Sequence, residues 1–298
     1  MILVIGEILF DVFPKYKRLG GAPFNFAYHL KNLNFPVRFI SRIGTDAAGK
    51  AILHKLKKYQ FDFGDIQIDD VHPTGTVNVQ LNGHGVPQFD IIRNVAYDYI
   101  KFIPEVHSDL ISSAQMIYFG SIVQRTKEGY KNLQDMIGRK SPEALIFYDI
   151  NLRPNCYNET LVKESLLKTN ILKLNQAELG ELKQWMSFKE SRDDFIGRLM
   201  DAYSLDIVSL TMGETGSALF TRQGRFNWDK VNGARVIDSV GAGDAYAAML
   251  AAGLLKGWQP EEILRKASIF ATRVCEIKGA IPESASFYEP LKPLFGNG

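Results

Sequence analysis

Residues 236–249 read Val-Ile-Asp-Ser-Val-Gly-Ala-Gly-Asp-Ala-Tyr-Ala-Ala-Met. An apolar lead-in meets three small residues, Gly241, Ala242 and Gly243, then an acid, Asp244, then a run of helix formers. The first turn of a helix presents unpaired N–H groups and a partial positive charge, and small residues let an anion approach them. An acid in that turn also caps a helix. The stretch is therefore either a capped turn or an anion hole with a base in it, and the rest of the chain has to decide. A dinucleotide fingerprint would need a third glycine at position 246, where the chain has Tyr246, and would lie near the first strand. A nicotinamide-dependent oxidoreductase loses on both counts.

Working outward, short apolar runs alternate with longer amphipathic stretches. Ile2–Ile5, Val37–Ile40, Met116–Phe119, Leu145–Tyr148, Ile171–Leu174, Ile207–Leu210 and Ala218–Phe220 read as strands. Asn25–Leu33, Ala47–Tyr59, Lys127–Ile137 and Asp193–Tyr203 read as helices. Buried strands alternating with helices mean an α/β fold, a parallel sheet covered on both faces, with ligands at the carboxyl ends of the strands. Two pieces break the alternation. Asp11–Leu19 is too short and mixed for a crossover helix, and Thr74–Ile92 carries alternating β-formers around Asn82, Gly83, His84 and Gly85, a hairpin signature. Residues 11–19 and 74–92 are thus expected to form a small β lid, and residues 1–10, 20–73 and 93–298 the core.

A chain of 298 residues, 46% hydrophobic and 23% charged, is long enough for one large α/β domain. A net charge of +2 argues against nucleic acid or a membrane surface as the main partner. Cys156 and Cys275 make no metal or redox spacing. The amino terminus lacks the basic region of a secretory signal, and the longest apolar stretch, Ala245–Leu255, falls short of the roughly 20 residues that span a bilayer. A cytoplasmic protein is expected.

Gly44-Thr45-Asp46-Ala47-Ala48-Gly49-Lys50-Ala51 has P-loop spacing, but Ala51 lacks the hydroxyl owed to magnesium and Asp46 would face a phosphate, so a strand-to-helix turn is the better reading. Gly20-Gly21-Ala22-Pro23-Phe24-Asn25 opens a helix: its paired glycines let a polar ligand reach backbone, and Asn25 offers a donor and an acceptor to a sugar hydroxyl. Asp11 follows the first strand at the ligand end of the sheet. Asn175 and Glu178 share one helix face after a strand; hard oxygens there suit hydrated magnesium, and a capping pair is the alternative. Asp149, Asn151 and Arg153 follow another strand. Thr211-Met212-Gly213-Glu214-Thr215-Gly216 is a turn fit to lie along a nucleotide.

In this order the stretches resemble the ribokinase-like (PfkB) carbohydrate kinases. Residues 20–25 resemble that family's amino-terminal signature, residues 238–244 its carboxy-terminal one, and 175–178 its N-x-x-E magnesium motif. The resemblance implies a Rossmann-like three-layer α/β/α sandwich with a small β lid, through which a homodimer could form, and ATP-dependent phosphorylation of a sugar or nucleoside hydroxyl. It implies Asp244 as base, with Gly241, Ala242, Gly243 and Arg153 around the transferring group. It implies Asp11, Gly20, Gly21 and Asn25 on the sugar, and Asn175, Glu178, Thr211, Gly213 and Gly216 on ATP, with Glu178 meeting Mg2+ directly or through water. Many members also bind a monovalent cation, K+, beside the anion hole, and here Asp238, Val240, Val274, Ile277 and Gly279 match that place; Glu283 departs from the small hydroxyl residue many relatives carry. Residues 6–11, 19–23 and 149–154 look most like fructokinases. Ribose, ketodeoxygluconate, adenosine and phosphosugar kinases share the skeleton, and Lys15, Lys17, Arg18 and Arg93 are the cations a phosphosugar would need. A sugar-binding regulator without catalysis is the rival of another class; it would need no base.

Overall fold

The structure, a computed structural model, describes residues 1–81, 87–229 and 235–295. In chain order the elements are β1 (Ile2–Ile5), β2 (Leu9–Val12), β3 (Lys17–Gly20), α1 (Ala22–Asn32), β4 (Val37–Gly44), α2 (Ala47–Lys58), β5 (Ile66–Asp69), β6 (Thr76–Leu81) and β7 (Pro87–Ile91). There follow α3 (Pro104–Ser112), β8 (Met116–Gly120), α4 (Lys127–Ile137), β9 (Leu145–Asp149), α5 (Glu159–Leu166), β10 (Ile171–Asn175), α6 (Gln176–Trp185) and α7 (Arg192–Tyr203). The chain ends through β11 (Ile207–Thr211), β12 (Ser217–Thr221), β13 (Gly224–Trp228), α8 (Ala242–Leu255), α9 (Pro260–Cys275) and a 3-10 stretch, Ala285–Phe295. The turn expected at Asn82–Gly85 lies outside the described residues.

Nine strands form the main sheet in the order β13-β12-β11-β10-β9-β8-β1-β4-β5, parallel from β5 through β11 and antiparallel at β12 and β13. Its two faces bury separate apolar clusters. Leu3 and Ile5 of β1 belong to the cluster closed by α3 to α7, and Ile2 and Val4 to the one closed by α1, α2, α8 and α9. That is a three-layer α/β/α sandwich, and the period-2 alternation of β1 reads directly into it. The strands absent from the sequence reading, β5 and β13, are the sheet's two edges. They are short and partly exposed, so their apolar pattern is weak.

Helix α8 is apolar on all sides because it is buried on all sides. It lies between α1 and α9 with Ala245 to Gly253 out of solvent. Among the described residues no helix is long and apolar enough to cross a membrane. The false P-loop is a cap: Asp46 accepts from Gly49 N at 2.8 Å, and also from Thr74 N and Thr74 Oγ1.

A second sheet, in the order β3-β2-β6-β7, stands apart from the first. Chain from both sides of β4 builds it: β2 and β3 pair antiparallel, while β2 runs parallel to β6 with Phe10 opposite Thr76. This places Asp11 opposite Arg18.

Candidate active site

The parallel strands end together, and their register assembles a polar row. Gly120, Asp149, Lys173 and Ser209 are neighbours across β8, β9, β10 and β11. Lys173 Nζ donates to both Asp149 oxygens at 3.0 and 3.1 Å, and Tyr118 donates to Asp149 Oδ2 at 3.1 Å. Burial works against the Lys173 charge, but Asp149, Glu178 and Asp244 outweigh it and hold its pKa above the ordinary value. Lys173 was not among the residues expected from sequence. The available signal was a lysine inside the apolar run Ile-Leu-Lys-Leu: a charge in a buried strand needs a partner.

Above this row sits the mouth of α8. Its N-cap is Gly241, at φ 81°, where an added Cβ would fall 2.3 Å from Ala280 Cβ; only glycine combines that backbone with that approach. No side chain caps the helix. Asp244, in the first turn, instead turns its carboxylate to Asn25, whose Nδ2 donates to Oδ2 at 2.8 Å across 219 positions of sequence. Burial pushes the Asp244 carboxyl up to about 6; the Asn25 bond pulls against this, Asp149 adds to it, and Lys173 and Arg153 oppose it. A Cβ on Gly243 would lie 3.2 Å from Lys173 Nζ, so the ammonium sits directly beside the small-residue turn.

On one side of Asp244 lie Asp11, Gly20, Gly21, Asn25 and a second residue absent from the sequence reading, Glu7. Gly20 brings its backbone so close to Asp11 that a Cβ would be 2.6 Å from Oδ2, and Gly21, at φ 108°, would drive a Cβ into the Glu7 carbonyl. Burial raises Glu7 to about 8 and Asp11 to about 6. Arg153 opposes the rise at Glu7, Asp11 and Asp244, which locates its charge among these three acids. Glu7 Oε2 and Asn25 Oδ1 are buried polar atoms with no hydrogen-bond partner in the protein, as groups awaiting a polar ligand or water would be. Glu7 could have been suspected: it is an acid at the end of a buried strand.

On the other side a cavity of about 540 Å³ opens. Asn175, Thr211, Gly213, Gly216, Ala242 and Gly243 all line it, and α9 closes it with Ser268, Ala271, Thr272 and Cys275, which the sequence reading left out. Glu178 lies deeper. Asn175 and Glu178 form a capping box on α6: Glu178 N donates to Asn175 Oδ1 at 3.0 Å, Glu178 Oε2 accepts from Asn175 N at 2.7 Å, and Oε1 accepts from Leu152 N at 3.0 Å. Burial raises the Glu178 pKa, against the nearby Lys173 charge. A divalent cation in the cavity would favour the ionised form. Among the described residues no cluster of three metal-binding side chains exists, so such a cation must bring most of its ligands with it.

Asp238, Val240 and Gly279 do meet, but around a side chain. Asp238 Oδ1 accepts from Val240 N at 3.1 Å, and Oδ2 accepts from Gly279 N at 2.9 Å and Arg18 Nη1 at 3.2 Å. The Val274 carbonyl is engaged by Ile277 N at 3.2 Å.

The family model for pfkB family carbohydrate kinases matches residues 7–286. An uncharacterized sugar kinase of Pyrococcus horikoshii is 28% identical over 274 residues, 86% of this chain and 83% of that protein. Its structure in complex with ATP superposes with a TM-score of 0.80 over 94% of both chains at 25% identity. The probable chloroplastic fructokinase-6 of Arabidopsis thaliana is 29% identical over 308 residues, 94% of this chain and 79% of that one. A fructokinase from Xylella fastidiosa, solved with bound ATP, shares the fold with a TM-score of 0.84 over 97% and 98% of the chains at 19% identity.

Proposed function

The chain belongs to the pfkB family of carbohydrate kinases, and from that premise we propose that it is an ATP-dependent sugar kinase acting on free fructose, with Asp244 as its base. The observation that carries the base assignment is the Asn25–Asp244 bond: it holds a half-buried carboxylate between an uncapped helix N-terminus and a cluster of unpartnered polar atoms.

The chemistry is positioning and electrostatics. A sugar hydroxyl attacks the γ-phosphorus in line, the bond to the β–γ bridging oxygen breaks, and ADP leaves. The hydroxyl proton passes to Asp244 as the oxygen attacks, so the alcohol need not ionise beforehand. N–H groups of Gly241, Ala242 and Gly243, with the dipole of α8, offset the charge gathering on the phosphoryl oxygens. Lys173, beside Gly243, adds a fixed positive charge under the turn. Thr211, Gly213 and Gly216 hold the nucleotide in the cavity. Magnesium arriving with ATP would neutralise phosphate oxygens, and Asn175 and Glu178 would order its water shell rather than bind it directly, since both Glu178 oxygens already accept backbone bonds. The second sheet serves as a lid that excludes competing water.

Fructose is favoured over the other acceptors by what the neighbouring side chains are doing. A phosphosugar needs several cations converging on one point. Arg18 is paired with Asp238, Lys17 lies over the Phe10 ring, and Arg93 donates to the Asn155 carbonyl. A nucleoside needs an open aromatic slot, whereas Phe10, Phe24 and Phe26 are fully in the core. The name of one curated relative above agrees. The test is ADP release, followed by kcat/KM, for fructose, ribose, ketodeoxygluconate, adenosine and fructose phosphates. Fructose should lead by about 10⁴-fold over analogues lacking a recognised hydroxyl. A higher value for adenosine or a phosphosugar overturns the acceptor but keeps the kinase, and no ADP release with any of them overturns the kinase.

A further inference from the structure

We infer that Arg18, carried on the second sheet, occupies the place beside the anion hole that a monovalent cation would otherwise fill, so that turnover is independent of potassium. The inference rests on the kinase reading.

The surroundings of Asp238 do not suit a metal ion. A cation site needs converging oxygens, but the Asp238 carboxylate is met by two backbone N–H groups and a guanidinium, each presenting positive charge toward it. The Val274 carbonyl accepts from Ile277 N at 3.2 Å, within its own helix end.

Arg18 fills the space as well as the charge. Its Cδ, Nη1 and Nε lie 3.3 to 3.7 Å from where Gly279 would carry a Cβ, so the side chain packs onto the bare backbone of that residue. On its other side the guanidinium lies 4.9 Å from the Tyr16 ring centre and 5.6 Å from that of Phe13, and the two rings stack at 4.5 Å. Guanidinium suits such a site: it is weakly hydrated, stacks on aromatic faces and keeps its charge at every working pH. A partly exposed ion pair contributes little stability. What matters here is position: Asp238 stands just ahead of Gly241, the N-cap of α8, so a fixed cation on Asp238 steadies the turn whose N–H groups face the phosphoryl group. Being covalently attached, this cation cannot dissociate.

The test compares KCl, NaCl and tetramethylammonium chloride at one ionic strength. Wild-type kcat/KM should agree within about twofold across the three salts, since the added cations only screen. Arg18→Met keeps the aliphatic stem and should lose about tenfold in tetramethylammonium, with most of that loss restored by potassium. Potassium should also raise the Tm of Arg18→Met without ligands, and leave wild-type Tm unchanged. That thermal readout stands even if the sugar is misassigned or no turnover is found. If Arg18→Met does not fold, Arg18→Gln carries the same comparison, and the wild-type salt series is decisive by itself in one direction. Activation of the wild type by potassium beyond about fivefold overturns the inference, that being about 1 kcal/mol of coupling. So does a variant that keeps full turnover, or one that loses it with no potassium response in rate or Tm.

Discussion

At Asp244 the group proposed to accept a proton is also one that the fold keeps protonated up to about pH 6. Two measurements follow. With Asp244 required as a base, kcat/KM should fall as pH drops below about 6, and Asp244→Asn should lose about 10²–10⁴-fold in turnover while still binding ATP and sugar. The same shift has a stability sign. A carboxyl whose folded pKa exceeds its unfolded value near 4 binds its proton more tightly when folded, so its contribution falls as pH rises between those values, and the full cost is present above pH 6. Asp244→Asn should therefore stabilise the protein at pH 7 by roughly 1–2 kcal/mol, discounted for the residue's partial exposure, and not at all below about pH 4. Retention of half the wild-type turnover would reduce Asp244 to a structural partner of Asn25. At this scale the sequence was legible for single chemistries and silent on pairings. Asp244 and Asn25 each stood out, but their bond spans 219 positions, and Lys173 was hidden because a strand pattern counts it as one polar residue rather than as the partner of Asp149.

Helix α8 sets the second scale. Its open mouth depends on residues without side chains, and two glycines there differ in what they protect. Gly241 holds a positive φ against Ala280, so Gly241→Ala should cost about 1–3 kcal/mol of stability, read as a lowered Tm. Gly243 has ordinary helical backbone, and an added Cβ would meet only Lys173 Nζ, at 3.2 Å. Gly243→Val should thus lower kcat/KM for ATP far more than Tm; equal losses in both would make position 243 a packing site. Elements were legible where burial made the pattern strong: β1, β8, β9, β10 and β11 were expected within a residue or two. β4 runs on to Gly44 beyond its expected end, its added residues pairing with β5 from Ser41 to Gly44. Edge strands β5 and β13 escaped notice because half their residues face solvent, and α9 because no chemistry marked it, although its Pro260 at the start is a helix signal.

Over the whole molecule, the proposed sugar side is built by the first strands with the second sheet, the proposed nucleotide side by β10 to α9, and Asp244 lies between them. Ligands that bind only this assembled state stabilise it by mass action. Fructose at about 100 times its Kd should add about 2.7 kcal/mol to unfolding, with a matching rise in Tm, and ribose at the same concentration distinctly less; equal shifts would deny the site its preference for fructose. The layered architecture could be read from alternating patterns alone, whereas the course of the second sheet could not, since β2 takes β6 as a parallel neighbour only after β4, α2 and β5 have been laid down between them. Pairings of such long sequence separation form late and slowly, and the contact from Asn25 to the start of α8 is longer still. On a ribosome the amino-terminal half can collapse around β1, β4 and β8 while its carboxylate partner remains unsynthesised. In refolding, the recovery of helical signal should run ahead of the recovery of phosphoryl transfer, with the interval set by the docking of α8 onto α1.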